Sequence, residues 1–263
     1  MSPIFLVSGI GMMLVGILAV VYWKIKSKIR WALFFWGVLA WIIAVVLKSI
    51  AALPTKTIIS YLRDTLPKYL SEPIIWIYSG LLTGIFECGV TLAFVYLIRR
   101  VKESNWKESV GFGLGFGSIE AFLVGAGSFV LTYLAIFMPS LLPPEILKQA
   151  TSGPNSPLII PAPVVERITV IFLHALSCLL IIFAVQTKNW RWFWISFVYK
   201  TAIDTIAGYI LFTYRSENLT VAGTWIVELA LLPFGIIGAW GLWYFKDKWK
   251  ISDDCQKNSG SII

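Results

Sequence analysis

The chain is short of charge, short of histidine and short of paired cysteine, and each shortage removes a class of protein. Lys, Arg, Asp and Glu make up 14% of its 263 residues, against about one-quarter in an ordinary soluble domain. Too few charges are present to clothe a water-soluble surface of normal polarity. The three cysteines, Cys88, Cys178 and Cys255, have neither CxxC spacing nor an even count. They therefore support no disulfide framework and no cysteine zinc site. One histidine, His174, is present, so no two-imidazole metal site can be assembled within one chain. Low-complexity tracts, convincing internal repeats and a soluble domain after the apolar region are also missing.

What is present is apolar: 58% hydrophobic residues and a mean hydropathy of +0.79. Thirteen Trp, ten Tyr and seventeen Phe suit a bilayer, where amphipathic rings settle at the headgroups. Seven stretches reach the roughly 20 residues that a helix needs to cross the hydrocarbon core. They are Ile4–Trp23, Trp31–Ala51, Pro73–Ile98, Ser109–Met138, Val164–Val185, Trp192–Phe212 and Val221–Phe245. The expected fold is all-α, a polytopic transmembrane helix bundle of about seven spans. Residues 1–250 would form one membrane domain and residues 251–263 a polar cytoplasmic tail. Between spans two and three, Ala52–Glu72 mixes Lys56, Arg63, Asp64 and Lys68 with Ile58, Ile59, Leu62, Leu66 and Leu70. That spacing predicts an amphipathic helix on the membrane surface.

The formal charge is +8. The bases flank apolar segments in short clusters, so the bilayer and its anionic headgroups are the expected partners and nucleic acid is not. Lys24, Lys26, Lys28 and Arg30 follow span one; Arg99, Arg100, Lys102 and Lys107 follow span three; Lys188 and Arg191 follow span five; Lys246, Lys248 and Lys250 follow span seven. The alternate loops are poorer, apart from the surface segment with Lys48 just before it. This asymmetry predicts an outside N-terminus and a cytoplasmic C-terminus, in a multi-pass protein of a prokaryotic plasma membrane. Span one has no basic leader region or small-residue cleavage site, so no cleaved signal peptide is expected. Seven of the twelve prolines fall in Pro139–Pro163, read as an external loop. The sequon Asn218-Leu219-Thr220 lies in a very short loop and carries no weight.

Ionisable residues interrupt the spans: Glu87 in span three, Glu120 in span four, His174 in span five, and Lys200 and Asp204 in span six. Each charge at mid-bilayer costs about 2.5–3.5 kcal/mol on insertion scales, so these groups should turn toward each other or a wet cavity. Glu87, Glu120, His174 and Asp204 each lie roughly 12–17 Å from the nearer end of their span, at 1.5 Å per residue. Four helices thus bring a polar group to a similar depth. Residues three or four apart share a helix face, which adds Thr83, Gly84 and Thr91 to Glu87, and Phe116 and Gly117 to Glu120. Gly111, Gly113, Gly115 and Gly117 form two overlapping GxxxG pairs that let neighbouring helices approach; no strand precedes them, so they are not a nucleotide loop. Lys200 and Asp204 are four apart, a spacing that more often means local charge compensation than chemistry. Glu166 and Arg167 are near the end of span five, within snorkelling reach of the interface. Glu228 in span seven reads as shallow and structural.

The ordered set Thr83-Gly84-Ile85-Phe86-Glu87, Gly115-Phe116-Gly117-Ser118-Ile119-Glu120-Ala121, Glu166-Arg167 with His174 seven residues on, and Asp204 resembles the YhfC-type intramembrane metallopeptidases. These are related to the PrsW and CAAX-protease group of multi-span glutamate peptidases. The resemblance covers spans three to six. It implies peptide hydrolysis within the membrane on a membrane-anchored peptide or protein, with zinc held by His and acidic residues. Carried over, Glu87 is the candidate general base, Glu120 a second catalytic or metal-binding acid, and His174 and Asp204 candidate ligands. Lys200, Glu166 and Arg167 become structural or charge-compensating. Three motifs depart from the family pattern, at four positions. Cys88 and Thr91 stand where it has a second Glu and an Arg; Phe116 and Lys200 stand where it has histidines. Lys200 could supply the positive charge that a lost metal leaves behind. Three functions stay open: a metallopeptidase, a pseudoenzyme that binds without cutting, and an ion-coupled transporter. Paired inverted repeats, a mark of many carriers, are not visible.

Overall fold

A computed structural model describes residues 2–213 and 220–259, and every regular element among them is helical. Asn218 and Leu219 of the sequon lie outside the described residues, as do Arg215 and 260–263. In chain order the α-helices are α1 (Leu6–Ser27), α2 (Trp31–Ala51), α3 (Thr55–Thr65), α4 (Lys68–Thr83), α5 (Gly89–Leu97), α6 (Arg99–Lys102), α7 (Trp106–Phe137), α8 (Pro144–Thr151), α9 (Ala162–Thr187), α10 (Arg191–Thr213) and α11 (Val221–Ser259). A single π turn, Gly84–Cys88, joins α4 to α5, so Lys68–Leu97 runs as one span.

Among the described residues, six helices are long and apolar enough to cross a membrane. The sixth of the seven expected spans forms the 23-residue α10, long enough but made less apolar by Lys200 and Asp204. It packs against α4 and α9, which gives those polar groups an interior to face. The all-α polytopic bundle is therefore the observed architecture. α11 continues past the expected end of span seven to Ser259.

α9 is the central post. Its apolar stretch is 89% buried, whereas in the other spans at most 50% is. α7 lies beside it and also packs on α1 and α2. The glycines of α7 explain how one helix serves two neighbours. A Cβ on Gly111 or Gly115 would meet Ile29 Cδ1 at 2.1 Å or Phe34 O at 2.1 Å. On Gly113 or Gly117 it would meet Ala175 Cα at 2.6 Å or His174 Cβ at 3.0 Å. One GxxxG pair is thus turned toward α2 and Ile29 just before it, and the other toward α9; at Gly115 and Gly113 the backbones approach closer than a side chain allows.

Local chemistry sets the ends. α7 opens on a capping box: Asn105 Oδ1 accepts from the Glu108 N–H and Glu108 Oε2 accepts from the Asn105 N–H, each at 3.1 Å. Lys28 and Lys188 close α1 and α9 in the left-handed region, at φ 58° and 55°. The surface segment is amphipathic, with half-buried Ile58, Ile59 and Leu62 opposite exposed Lys56, Ser60 and Arg63. It is shorter than expected, however. Pro67 forces Leu66 into extended backbone (φ −117°, ψ 145°), so Lys68–Glu72 begin α4 instead. Arg63 ties the two helices through Glu72, at 2.9 and 3.2 Å. The Pro-rich stretch also folds locally, into α8 flanked by short 3-10 turns at Pro139–Leu141 and Pro157–Ile159.

Gly115→Ala should lower stability by about 1–3 kcal/mol, the range for overpacking. Gly127→Ala, whose Cβ meets nothing within 4 Å, should be neutral or stabilising by up to about 1 kcal/mol. Thermal unfolding of the two variants in detergent checks this; equal effects would contradict the close approach of α7 to α2.

Candidate functional site

The side chains at similar depth meet on one cavity of about 350 Å³, enclosed by α2, α4 with its π turn, α7, α9, α10 and α11. At its floor are Glu87, His174 and Lys200, exposed by 3%, 4% and 2%. Toward the rim, the side chains of Glu120, Lys48 and Glu166 are 19%, 27% and 29% exposed.

Glu87 sits in the π turn, where an i→i+5 step adds one residue to the helical turn. Gly84, at the start of that turn, has Thr201 Oγ1 of α10 only 2.3 Å from where its Cβ would be. This closeness presses the turn onto α10 and brings Glu87 Oε2 onto the Lys200 ammonium. Lys48 donates to Glu87 Oε1 at 3.1 Å, so each carboxylate oxygen accepts from a different lysine. Lys200 also donates to His174 Nδ1. With that nitrogen accepting, the ring proton lies on Nε2, which donates to Glu120 Oε2 at 2.8 Å. Glu120 further accepts from Trp41 Nε1 at 2.9 Å and from Arg167 Nη1 at 2.9 Å. Arg167, 6% exposed, also donates to Glu166. Phe116 lies against the His174 ring, centroids 5.1 Å apart, and beneath the Lys200 ammonium at 4.8 Å.

Asp204 stands apart. Lys200, four residues before it, turns to Glu87 and His174 instead. Asp204 Oδ2 accepts from the Thr83 hydroxyl, which itself accepts from Lys48 at 3.3 Å. The structure thus groups Glu87, Glu120, His174 and Lys200 by direct contact and reaches Asp204 through Thr83. Below the floor, Ser177 and Ser196 share a 2.6 Å hydrogen bond beside Cys88, and Thr91 contacts Cys178 at 4.0 Å.

Sequence reasoning missed two partners. Lys48, counted with the bases of the surface segment, points into the cluster; Trp41 was one aromatic among many. The signal was Trp41, Val45 and Lys48 at i, i+4 and i+7, one face of α2 and three residues of the cavity wall.

Comparison with known proteins agrees with the motifs. A family model described as YhfC intramembrane metalloprotease matches residues 11–231. The chain belongs to the YhfC intramembrane metalloprotease family. No curated protein and no solved structure matches it.

The description of the YhfC family implies a metal. Among the described residues, no three His, Cys, Asp or Glu side chains form a group that could hold a metal ion. A zinc ligand needs a free lone pair directed at the ion. His174 Nδ1 has Lys200 on it and Nε2 carries the proton given to Glu120; Glu87 is bracketed by two ammoniums. Glu87 Oε2 and His174 Nδ1 are 3.8 Å apart, and the cation lying between them is the Lys200 ammonium. The residues of this YhfC chain do not fit a zinc ion as they stand.

Removing one member of a buried ion pair costs about 3–5 kcal/mol, because the other charge is stranded. Lys200→Met should therefore lower unfolding stability by about that much, and adding Glu87→Gln should recover much of the loss. Additive losses in the double variant would sever Lys200 from Glu87.

Proposed function

We propose that this chain is a YhfC-family membrane protein that binds a membrane-borne ligand in its polar cavity without hydrolysing it. One observation carries the reading: the Lys200 ammonium contacts both Glu87 and His174, the carboxylate and imidazole that a metal would need. Metal-assisted hydrolysis requires an open coordination position and a carboxylate in reach of the bound water. Here both oxygens of Glu87 already accept from lysines, and Glu120 is taken by His174, Trp41 and Arg167. The cavity keeps its polar lining and its walls from six elements, while Glu87 and Glu120 are held by side chains of the protein itself.

The basic loops between α1 and α2, α5 and α7, and α9 and α10, with the C-terminal part of α11, set the proposed orientation. That end faces the cytoplasm and its anionic headgroups. The hydrolytic reading rests on the family match over residues 11–231, and the same experiment separates the two. Protein purified in detergent should carry no stoichiometric zinc by elemental analysis and should leave membrane-anchored peptides intact. Zinc at one per chain, with cleavage abolished in Glu87→Ala, would sink the non-hydrolytic reading.

A further inference from the structure

The charges of the cavity do not balance. Its lining holds four carboxylates, Glu87, Glu120, Glu166 and Asp204, against three basic side chains, Lys48, Arg167 and Lys200. His174 adds no charge when Nδ1 accepts from Lys200 and Nε2 donates to Glu120. The bases are also unevenly assigned: Lys48 and Lys200 hold Glu87, and Arg167 holds Glu120 and Glu166. Asp204 has no base within ion-pair distance among the described residues, although Lys48 and Lys200 act on its charge from farther off. One of its oxygens takes the Thr83 hydroxyl; the other has no hydrogen bond or ion pair among the described residues, and the residue lines the cavity.

Glu228 of α11, one turn before Leu231 of the cavity wall, is buried but does not itself line the cavity, so the count there stays at four carboxylates to three bases. A carboxylate surplus in a membrane interior must be balanced by a proton or by a cation that comes from outside. The remaining wall includes Val45, Val124, Val170, Leu173, Ile203 and Leu231. The volume, about 350 Å³, lies at the small end of the usual ligand range of roughly 300–1,000 Å³.

Resting on the reading of the cavity as a binding site, we infer that it receives a cationic group on an apolar stem, an ammonium or guanidinium whose partner is Asp204. The apolar wall takes the stem, and the free oxygen of Asp204 takes the charge. A lysine side chain on a membrane-borne peptide and a free lipidic amine share this chemistry.

The test is a titration of the full chain in an uncharged detergent with octylamine, octanol and octanoate, read by thermal unfolding. Octylamine should protect at least about tenfold lower concentration than octanol, a preference of about 1.4 kcal/mol, and octanoate should not protect. Asp204→Asn, which keeps an acceptor for Thr83, should erase the amine preference. Equal protection by octylamine and octanol would overturn the inference, since a proton on Asp204 would then suffice. A preference that survives in Asp204→Asn would overturn it too. If that variant does not fold, the wild-type comparison of amine with alcohol still decides. Displacement of octylamine by a single-span peptide with a central lysine, but not by its leucine counterpart, would support a peptide source. Amine protection that neither peptide competes away would support a free amine. Bound zinc with cleavage would defeat the proposed function and leave the amine result standing; loss of the amine preference would do the reverse.

Discussion

The interior of this bundle depends on one ammonium. Lys200 Nζ lies where the Glu87 carboxylate and the His174 imidazole converge, and it joins α10 to the π turn and to α9 at once. Through His174 the contact extends to Glu120 on α7, and through Glu120 to Trp41 on α2 and Arg167 on α9. An isolated charge at this depth would oppose insertion. A connected set holds the helices in register, because each helix that moves away strands a charge on another. The apolar packing around α9 is compatible with many small rotations of its neighbours; the polar set is compatible with few.

The same set bears on the metal that the family description implies. A peptidase centre built on a metal holds its ligands by the ion. Here the ligand-type residues remain, but a side chain of the protein supplies the positive charge. Such an ammonium cannot dissociate, polarise a carbonyl as a Lewis acid or lower the pKa of a bound water, though it serves the electrostatics of the fold. The cavity above it keeps a polar floor and an apolar wall.

Much of this was legible in the residues. Span lengths came from apolar runs, and the depth of Glu87, Glu120 and His174 from counting residues, because both follow from the rise of a helix. The glycine pairs of α7 announced close neighbours, although not that each pair serves a different helix. Other features depend on tertiary geometry and left no local signal. Lys48 has the composition of a loop base and the position of a core ligand. Lys200 and Asp204 have the spacing of a pair and separate partners. Pro67 could have moved the start of α4 back to Lys68, since proline restricts the residue before it, but the mixed composition of the segment concealed the break. The π turn has no sequence signature beyond Gly84.

That turn also constrains how this span can change length. Lys68–Leu97 carries one residue more than a regular α-helix would use to reach the same point, and the surplus lies at Glu87. Losing a residue there would relax the turn to α-helix and leave Thr91, Phe94 and Val95 near their present places, but it would remove the bulge that sets Glu87 on Lys200. The span is therefore open to substitution along its lipid face, whereas at its middle the position of the carboxylate depends on one surplus residue.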